Sequence, residues 1–378
     1  MARFAASGSG VKLLEYKGKE LLARYRIPVP RGTLVTSRES LGELSYPCVL
    51  KAQVLSGGRG KAGGIRVVKD AAEATTAYDS IRQLTIGGYA VKQVYSEERL
   101  DIAQELYLSF TIDRSARAPL LMASRAGGVE VESLPESEMF TAHVPPMLGV
   151  LPYLFRAMRA RLGLPKEVAA QVEAITADAY DLFRKEDAEL VEINPLAVLR
   201  DGRVVAGDAK VTIDDSALYR QTEREGVDQD WTPLEAEAHE KGITFLQLEG
   251  DIGVIANGAG LTMATLDVLG LKGGRGGTFL DLGGTDDPEK VRQAFLLLVK
   301  AKPRVILMNI FGGITKCDTV AIGVEKAMAE QPTRVPVVAR IKGVNEAEAK
   351  RILSDAGMHP ADSLEEAAEL AVKLRGSP

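Results

Sequence analysis

Apolar and polar positions follow two different patterns along the chain, one in each half. In the first half, helical spacing of apolar residues predicts helices over Leu13 to Arg26, Asp70 to Leu84 and Leu164 to Lys185. Between the last two, the β-rich runs Ile102 to Ile112 and Pro119 to Ser124 follow one another closely and predict an antiparallel sheet. The first half is therefore expected to mix helices with antiparallel strands.

From Ile252 onward, apolar β runs alternate with helical segments. The runs are Ile252 to Asn257, Thr278 to Leu282, Arg304 to Phe311 and Val335 to Ile341. Such alternation predicts a parallel sheet covered by helices. A charged segment, Ser216 to Glu240, is predicted to be a helical connector. We therefore expect a flexible tail at residues 1–10 and domains over residues 11–240 and 241–378.

A hairpin with a glycine-filled tip is predicted between residues 48 and 68. Its sequence is Val-Leu-Lys51-Ala-Gln-Val-Leu-Ser-Gly-Gly-Arg59-Gly-Lys61-Ala-Gly-Gly, and a second β-rich run follows. Glycines lack a Cβ, so the backbone N–H groups of the loop can approach anionic oxygens. Lys51 lies in an apolar run, where a lysine requires a counter-charge such as a phosphate. Together with Arg59 and Lys61, these features predict phosphate binding.

The loop matches neither of two common phosphate-binding motifs. No Lys-Ser or Lys-Thr follows its second glycine, and no helix follows the loop, which excludes a P-loop and a Rossmann turn at this place. A hairpin lid with a lysine on the preceding strand fits an ATP-grasp domain better.

A second hairpin carries side chains with oxygen atoms. Glu192 and Asn194 alternate with apolar neighbours, so both are expected on one face of a strand. Asp201-Gly202 predicts a tight turn, and Asp208 follows on the returning strand. Oxygen ligands without nitrogen or sulfur suit Mg²⁺ carried with phosphates. The sequence therefore predicts a metal site on this hairpin.

The first three apolar runs of the second domain each end in a glycine turn. These turns are Asn257 to Gly260, Gly283 to Thr285 and Phe311 to Thr315. Because the carboxyl ends of parallel strands share one edge of a sheet, the turns are expected to form a single ligand-binding rim. The first turn resembles a dinucleotide fingerprint only weakly, because too few residues follow it for the second half of such a fold.

Composition narrows the class of partner and the compartment. A net charge of −5 gives no electrostatic footprint for nucleic acid. The two cysteines, Cys48 and Cys317, exclude a disulfide framework and favour a reducing compartment. No apolar run approaches the roughly 18 to 20 residues of a membrane helix. We predict a cytoplasmic protein that binds neither nucleic acid nor membrane.

The chain resembles the β subunits of the succinyl-CoA synthetase (succinate–CoA ligase) family from about Leu13 to Leu374. The resemblance is carried by the glycine loop, Asp101-Ile-Ala-Gln-Glu105-Leu-Tyr-Leu, Glu192-Ile-Asn-Pro, Asn257-Gly-Ala-Gly-Leu and Asn309-Ile-Phe-Gly-Gly-Ile-Thr-Lys-Cys-Asp318. It implies an ATP-grasp domain followed by a flavodoxin-like domain of the CoA-ligase type. The implied reaction is nucleotide-dependent, reversible formation of succinyl-CoA from succinate and CoA, with either ATP/ADP or GTP/GDP.

The resemblance also implies roles for residues at matching positions. It assigns Lys51, Gly58, Arg59, Gly60, Glu97 and Glu105 to the nucleotide; Lys51, Arg59 and Glu192 to catalysis; Asn194 and Asp208 to Mg²⁺; and Asn257, Gly313, Ile314 and Thr315 to the acid substrate. Glu98 stays an alternative to Glu97, because Tyr95-Ser-Glu-Glu is irregular where the family has a Val-Glu run.

In this family the phosphoryl group passes through a histidine of an α subunit that also carries the CoA site. The resemblance thus implies an αβ heterodimer or an α2β2 assembly. The three histidines of this chain, His143, His239 and His359, lie outside the glycine turns and the metal hairpin. A stand-alone ATP-grasp carboxylate–amine ligase is an alternative, but such an enzyme would not need the rim.

Asp286 departs from the family pattern, in which another glycine usually occupies this place. Its carboxylate adds negative charge beside a rim expected to bind anions. The β subunit of malate–CoA ligase is therefore the nearest alternative to a succinate enzyme.

Overall fold

The computed structural model describes residues 10–128, 134–221, 231–331 and 335–376. The chain forms two compact units that divide after Asp230. Nine of the ten residues in the predicted N-terminal tail, residues 1–9, lie outside the described residues. No helix in the four described ranges is both long enough and apolar enough to cross a membrane.

The first unit contains four α-helices and thirteen strands among its described residues. In chain order they are β1 (Val11–Lys12), α1 (Glu15–Arg24), β2 (Gly32–Val35), β3 (Cys48–Gln53), β4 (Ile65–Val68), α2 (Ala71–Arg82), β5 (Thr85–Ile86), β6 (Tyr89–Ala90), β7 (Gln93–Glu98), β8 (Ile102–Asp113), β9 (Ala118–Ser124), β10 (Met139–His143), α3 (Pro152–Leu162), α4 (Lys166–Lys185), β11 (Ala188–Leu199), β12 (Val204–Ala206) and β13 (Lys210–Ile213). The three helices predicted in this half are confirmed as α1, α2 and α4.

The strands of the first unit form two principal antiparallel sheets. One has the order β2-β7-β3-β4 and contains the predicted hairpin, in which Lys51 lies opposite Ile65. The other has the order β1-β13-β11-β8-β9-β10, and β12 pairs with β11. The expected antiparallel pairing of β8 with β9 is confirmed. β7 belongs to the first sheet, because it pairs with β2 and β3, and residues 99–101 connect it to β8 in the other sheet.

Each sheet of the first unit is packed against a helix. The apolar face of α4, with Val172, Ile175 and Phe183, packs with Phe110 of β8 in one core. Ala74 and Ile81 of α2 belong to a second core under the four-stranded sheet. The helix α2 begins as predicted at Asp70, whose side chain accepts hydrogen bonds from the N–H groups of Ala72 and Glu73.

The described residues of the second unit form six helices and six strands. In chain order they are α5 (Pro233–Glu240), β14 (Thr244–Gln247), β15 (Ile252–Ala256), α6 (Ala259–Leu271), β16 (Gly276–Asp281), α7 (Pro288–Lys300), β17 (Val305–Gly312), α8 (Cys317–Glu330), β18 (Val337–Gly343), α9 (Glu346–Asp355), β19 (His359–Ala361) and α10 (Leu364–Arg375).

The strands of the second unit form one sheet in the order β14-β16-β15-β17-β18-β19. All neighbours are parallel except the edge strand β14, which is antiparallel to β16. Counted along the chain, the five parallel strands have the order 2-1-3-4-5, which is the flavodoxin-like arrangement. The predicted parallel sheet is confirmed. Its strand order reverses between β15 and β17, where ligands bind in such folds.

Successive residues of β17 enter two different cores, as expected for a strand buried on both faces. Ile306 and Met308 pack with α7 and α8, whereas Val305 and Leu307 pack with α6 and α10. Helices therefore cover both faces of the sheet.

The described residues of the predicted connector form two separate helical pieces. Within Ser216 to Glu240, the described residues form part of a 3-10 turn, Asp215–Arg220, and the helix α5, while residues 222–230 lie outside the described part. Ala238 of α5 is fully buried in a core of the second unit. The predicted boundary between residues 240 and 241 falls at the end of this helix, whereas its packing places the helix in the second unit.

Candidate functional site

The glycine loop between β3 and β4 lines a cavity of about 680 Å³ in the first unit, here called the loop cavity. The other walls come from the start of α1, from β8, from β11 and from the segment that joins β12 to β13. The predicted site residues that line it are Gly58, Arg59, Gly60, Glu105, Glu192, Asn194 and Asp208. Residues far apart in the sequence thus share one cavity.

The loop has an open tip and a packed base. Gly58 has a φ of 77°, a left-handed conformation that favours glycine, and a Cβ built on Gly57 or Gly58 would meet no protein atom within 4 Å. At the base, a Cβ on Gly64 would lie 2.8 Å from Ile86 and 3.0 Å from Ala52. The base therefore needs glycine for packing, and the tip leaves its backbone accessible from the cavity.

Lys51 and Glu97 do not line the loop cavity but lie beneath it. The Lys51 ammonium donates to Oε1 of Glu15 at 2.9 Å and to the carbonyl of Gly207 at 2.9 Å, and it pairs with Oε1 of Glu97 at 2.5 Å. The expected counter-charge for the buried lysine is supplied by two carboxylates of the chain, and the assignment of Lys51 to the nucleotide stays a prediction. Lys51 is 7% exposed.

Lys19 completes the contacts below the cavity. Its ammonium lies 2.8 Å from Oε1 of Glu15, donates to the Gly207 carbonyl at 2.9 Å and pairs with Glu97. Three cations and three carboxylates are thereby joined in what we call the charge cluster, which consists of Glu15, Lys19, Lys51, Arg59, Glu97 and Asp208.

Arg59 connects the glycine loop to the hairpin after β11. Its Nη1 pairs with Glu15, and its Nη2 donates to Oδ2 of Asp208 at 2.5 Å. The guanidinium is therefore shared between a carboxylate of α1 and the predicted metal ligand. A planar fork with fixed N–H directions suits such bridging.

Sequence reasoning gave no role to Glu15 and Lys19, which hold the cluster together. They lie four residues apart in α1, and Leu22 follows after three more, so all three share one helix face. Lys19 and Leu22 are 1% and 0% exposed. The sequence did contain a signal, because Glu15 and Lys19 have the spacing of the apolar face of α1. Charged residues on such a face are buried only when they have partners of opposite charge.

The pKa values of Glu15 and Lys51 reflect burial and neighbouring charges. Burial raises the pKa of Glu15, but Lys51, Arg59 and Lys19 outweigh it and hold that pKa well below its usual range. Burial lowers the pKa of Lys51, but Glu15 and Glu97 together raise that pKa by more, so it lies above its usual value. Glu15 and Lys51 are therefore ionised at neutral pH.

The three glutamates proposed for the nucleotide lie in different surroundings. Glu105 lines the loop cavity and packs against the backbone of Gly128, where a Cβ would come within 2.0 Å of its carboxylate. Glu97 is buried in the charge cluster, and the exposed Glu98 accepts a hydrogen bond from the N–H of Arg31 at 3.2 Å. Of the three, only Glu105 faces the cavity.

The predicted metal ligands lie together but not as facing residues of two strands. Asp208 lies in the irregular segment between β12 and β13, because β12 ends at Ala206. Oδ1 of Asn194 accepts from the N–H of Gly128 at 2.6 Å, and Oδ1 of Asp208 accepts from that of Ala209 at 2.7 Å. Asn194 and Asp208 both line the loop cavity.

This donor set fits Mg²⁺ better than a transition metal. Among the described residues, no group of three His, Cys, Asp or Glu side chains is placed to hold a metal ion. An amide oxygen and a carboxylate, with Glu192 nearby, leave most coordination positions to phosphates and water, as Mg²⁺ prefers. Zinc usually takes at least three protein ligands, often including nitrogen or sulfur.

In the second unit, side chains join the three glycine turns into the predicted rim. Asn257 donates to the carbonyl of Phe311 and accepts from its N–H, both at 2.8 Å. Oδ1 of Asp281 accepts from the N–H of Gly258 at 2.5 Å and from that of Gly283 at 2.7 Å. The rim therefore lies at the strand-order reversal between β15 and β17, and Asp281 there binds backbone groups.

The four residues predicted to bind the acid substrate differ in exposure. Ile314 is 82% exposed, and a Cβ on Gly313 would meet nothing within 4 Å. Thr315 is buried, and its hydroxyl donates to the carbonyl of Gly283 at 3.3 Å. The side chains of Asn257 and Thr315 thus shape the rim, and the segment at Gly313 and Ile314 is open to solvent.

The negative charge of Asp286 beside the rim is balanced within the chain. Its carboxylate pairs with Lys316 at 2.7 Å and accepts from the Thr319 hydroxyl at 2.6 Å. The hydrogen bonds from Lys316 and then from Thr319 hold the pKa of Asp286 below its usual value. The objection that this residue would repel an anion is therefore weakened.

Comparisons with known proteins agree with the two-unit architecture. A family described as ATP-grasp domain matches residues 12–198, and a family described as CoA-ligase matches residues 255–374. These matches confirm the predicted fold class.

Relatives match over nearly the whole chain. "Succinate--CoA ligase [ADP-forming] subunit beta" of Ignicoccus hospitalis is 42% identical over 96% of this chain and 99% of its own length. The protein of the same name from Desulfurococcus amylolyticus is 41% identical with the same coverage. Among solved structures, ATP citrate lyase from Methanothrix soehngenii has a TM-score of 0.68 at 19% identity, covering 96% of this chain and 100% of that one. At that identity the likeness supports the fold alone.

We predict that Glu15→Gln destabilises the chain by about 3–5 kcal/mol, because it leaves buried cations short of one carboxylate. Urea unfolding at pH 7 measures the change. The matched control is Glu20→Gln in the same helix, where the exposed pair with Lys17 predicts a change within about 0.5 kcal/mol.

The difference caused by Glu15→Gln should also depend on pH. A carboxylate whose folded-state pKa is lowered stabilises the fold above its unfolded pKa of about 4.3, and the contribution is lost as pH falls below that value. The gap in unfolding free energy between the variant and the unmodified chain should therefore narrow from about pH 5 downward. A gap that stays constant would contradict the charge-based account.

At the rim, Gly312→Ala should destabilise the chain by about 1–3 kcal/mol, because the added Cβ would lie 2.4 Å from Sγ of Cys317. Gly313→Ala is the matched control, with an expected change within about 0.5 kcal/mol. Thermal unfolding compares the two, and equal destabilisation would refute the packing difference.

Proposed function

The chain belongs to the family of succinate–CoA ligase β subunits, and on that basis we propose that it catalyses the nucleotide-dependent, reversible joining of succinate and CoA as one subunit of that enzyme. The observation that carries the proposal is the loop cavity. There the glycine loop, Arg59, Glu105 and the hairpin with Asn194 and Asp208 meet in one space of about 680 Å³.

We assign the loop cavity to the nucleotide, and the loop backbone to its phosphates. The open tip at Gly58 allows backbone N–H groups to approach phosphate oxygens. Arg59 supplies a positive charge at the cavity wall. Fixed charges of this kind stabilise the transition state of phosphoryl transfer. The assignment of Lys51 to the nucleotide and to catalysis stays a prediction, since Glu15 and Glu97 pair with its ammonium. Because the relatives are named ADP-forming, we propose ATP as the nucleotide.

The carboxylates divide the remaining tasks. Glu105 faces the cavity and is proposed to bind the ribose or the base of the nucleotide. The assignment of Glu97 to the nucleotide stays a prediction, and its side chain holds Lys51 and Lys19 in place. Glu192 lies in the cavity wall beside the metal ligands and is proposed to orient the groups around them.

We propose that Asn194 and Asp208 hold Mg²⁺. When bound, the ion supplies positive charge that neutralises phosphate oxygens. The residues of the chain fix its place through their own hydrogen bonds, which keep the Asn194 amide and the Asp208 carboxylate in the cavity wall.

The second unit is proposed to provide the acid site at the rim. Gly313 and Ile314 lie in the open, at the strand-order reversal of the sheet, where backbone N–H groups can bind a carboxylate. No observation in the chain favours malate over succinate, since Lys316 already balances the Asp286 charge. The presence of the rim also argues against a stand-alone carboxylate–amine ligase.

We further propose that an α subunit completes the enzyme in the cytoplasm, as an αβ heterodimer or a pair of such dimers. The relatives are named as subunit beta, and none of the three histidines of this chain lines the loop cavity. His143 pairs with Asp113 at 2.8 Å, and His239 lies against the ring of Trp231. The phosphohistidine and the CoA site are therefore assigned to the partner.

The metal assignment predicts that Asp208→Ala raises the Mg²⁺ concentration needed for half-maximal activity by at least about tenfold, because a direct ligand is lost. Titration of Mg²⁺ in a succinyl-CoA assay of the reconstituted enzyme measures it. Glu348→Ala removes an exposed acid of α9 that pairs with Arg351 and should leave the titration unchanged. Superimposable curves for both variants would disprove the assignment.

The partner assignment predicts that the purified chain alone forms no thioester above background from ATP, succinate and CoA. Addition of the α subunit should restore turnover, and succinate should be used in preference to malate. The absorbance of the thioester product, measured in separate assays with succinate and with malate, checks the prediction. Full turnover by the isolated chain would exclude the requirement for an α subunit, and a preference for malate would change the substrate.

A further inference from the structure

Arg59 and Asp208 form an ion pair in the wall of the loop cavity, and the role inferred for this pair rests on the proposed function. Asp208 is the only carboxylate among the two proposed metal ligands. One of its oxygens accepts from the N–H of Ala209 at 2.7 Å, and the other accepts from Nη2 of Arg59 at 2.5 Å. Both oxygens therefore already have partners within the chain.

Arg59 is well fixed in this position. Its side chain is 10% exposed, and its second nitrogen, Nη1, pairs with Glu15, which is 3% exposed. Glu15 in turn binds Lys19 and Lys51. The guanidinium is thus held at one end by a buried carboxylate that also pairs with two lysines, and at the other end by Asp208, whose side chain is 26% exposed.

A guanidinium bound to this carboxylate repels a divalent cation that approaches the same carboxylate. Arginine does not lose its proton in proteins, so the repulsion cannot be relieved by deprotonation. It can be relieved by a small rotation that takes Nη2 away from Asp208 while Nη1 stays on Glu15. The released N–H groups would then face the loop cavity, which Arg59 lines, and they require a new acceptor.

A phosphate group is the acceptor that fits this requirement. It is anionic, it would accompany the metal, and a guanidinium binds it through parallel hydrogen bonds. We propose that Arg59 is a specificity-determining residue that makes Asp208 available to a divalent cation only together with a nucleotide phosphate. Before ligands bind, Arg59 is the counter-ion of Asp208. When a metal–nucleotide complex binds, the guanidinium of Arg59 moves to a phosphate group and Asp208 becomes available to the metal.

The proposal makes metal binding and nucleotide binding depend on one another. Metal without nucleotide leaves Nη2 of Arg59 with no acceptor, and nucleotide without metal leaves Nη2 on Asp208. Such coupling is reciprocal and typically changes affinities by about 5- to 150-fold. Removal of the guanidinium should therefore strengthen the binding of free metal and weaken the dependence on nucleotide.

The test measures binding of Mn²⁺, as a probe for the metal site, to the full-length chain by electron paramagnetic resonance. Without nucleotide, Arg59→Met should bind Mn²⁺ at least about tenfold more tightly than the unmodified chain. ADP should increase the Mn²⁺ affinity of both proteins. The increase should be smaller in Arg59→Met than in the unmodified chain, again by at least about tenfold. The matched control is Arg66→Met, which removes an exposed arginine of β4 and should behave as the unmodified chain does.

Arg59→Lys provides a second variant that keeps a positive charge if Arg59→Met fails to fold by circular dichroism. Lysine cannot bridge Glu15 and Asp208 as a planar fork, so its affinity for free Mn²⁺ should lie between those of the unmodified chain and Arg59→Met. Free Mn²⁺ binding equal to that of the unmodified chain in every folded Arg59 variant would overturn the inference.

Asp208→Asn separates this inference from the proposed metal site. Loss of Mn²⁺–ADP binding in that variant supports the proposed metal site. The Arg59 variants then test whether Arg59 moves from Asp208 to a phosphate group. Unchanged Mn²⁺–ADP binding in Asp208→Asn would overturn the metal assignment and, with it, the role given to Arg59.

Discussion

The first unit depends on one requirement, which is that every charge buried beneath the loop cavity must meet an opposite charge. Isolated ions in such a place are very costly, and pairing only offsets the cost when hydrogen bonds satisfy the remaining polar groups. Here Glu15 contacts three cations, and the carbonyl of Gly207 accepts from both Lys19 and Lys51. Helix α1, strand β3 and the segment before β13 are thereby fixed to one another at the floor of the site.

The second unit achieves a similar fixation with uncharged backbone groups. Its parallel strands place three turns at one edge, and the side chains of Asn257, Asp281 and Thr315 bind the main chain of neighbouring turns. Asn257 and Thr315, which the sequence predicts to bind the substrate, therefore also stabilise the turns by binding their main chain. The open backbone around Gly313 is left as the surface that faces solvent.

Local features were predictable from the sequence, whereas the partners of buried charges were not. Glycine density and apolar runs specify the β3–β4 hairpin and the parallel strands, because both depend on residues near in sequence. Lys51 was correctly expected to need a counter-charge, but Glu15 and Glu97, which supply it, lie 36 and 46 positions away, and β strand pairing brings Glu97 to it. The separation of β7 from β8 into two sheets likewise depends on tertiary pairing, which no local pattern encodes.

The double use of the Gly207 carbonyl has a consequence for how this protein can vary between species. Two ammonium groups from different elements rely on one backbone oxygen that immediately precedes Asp208. Substitutions of residues that share a partner are not additive, so a change at position 19 alters what is tolerated at positions 51 and 208. A substitution at one of these positions is therefore expected to need a compensating change at another.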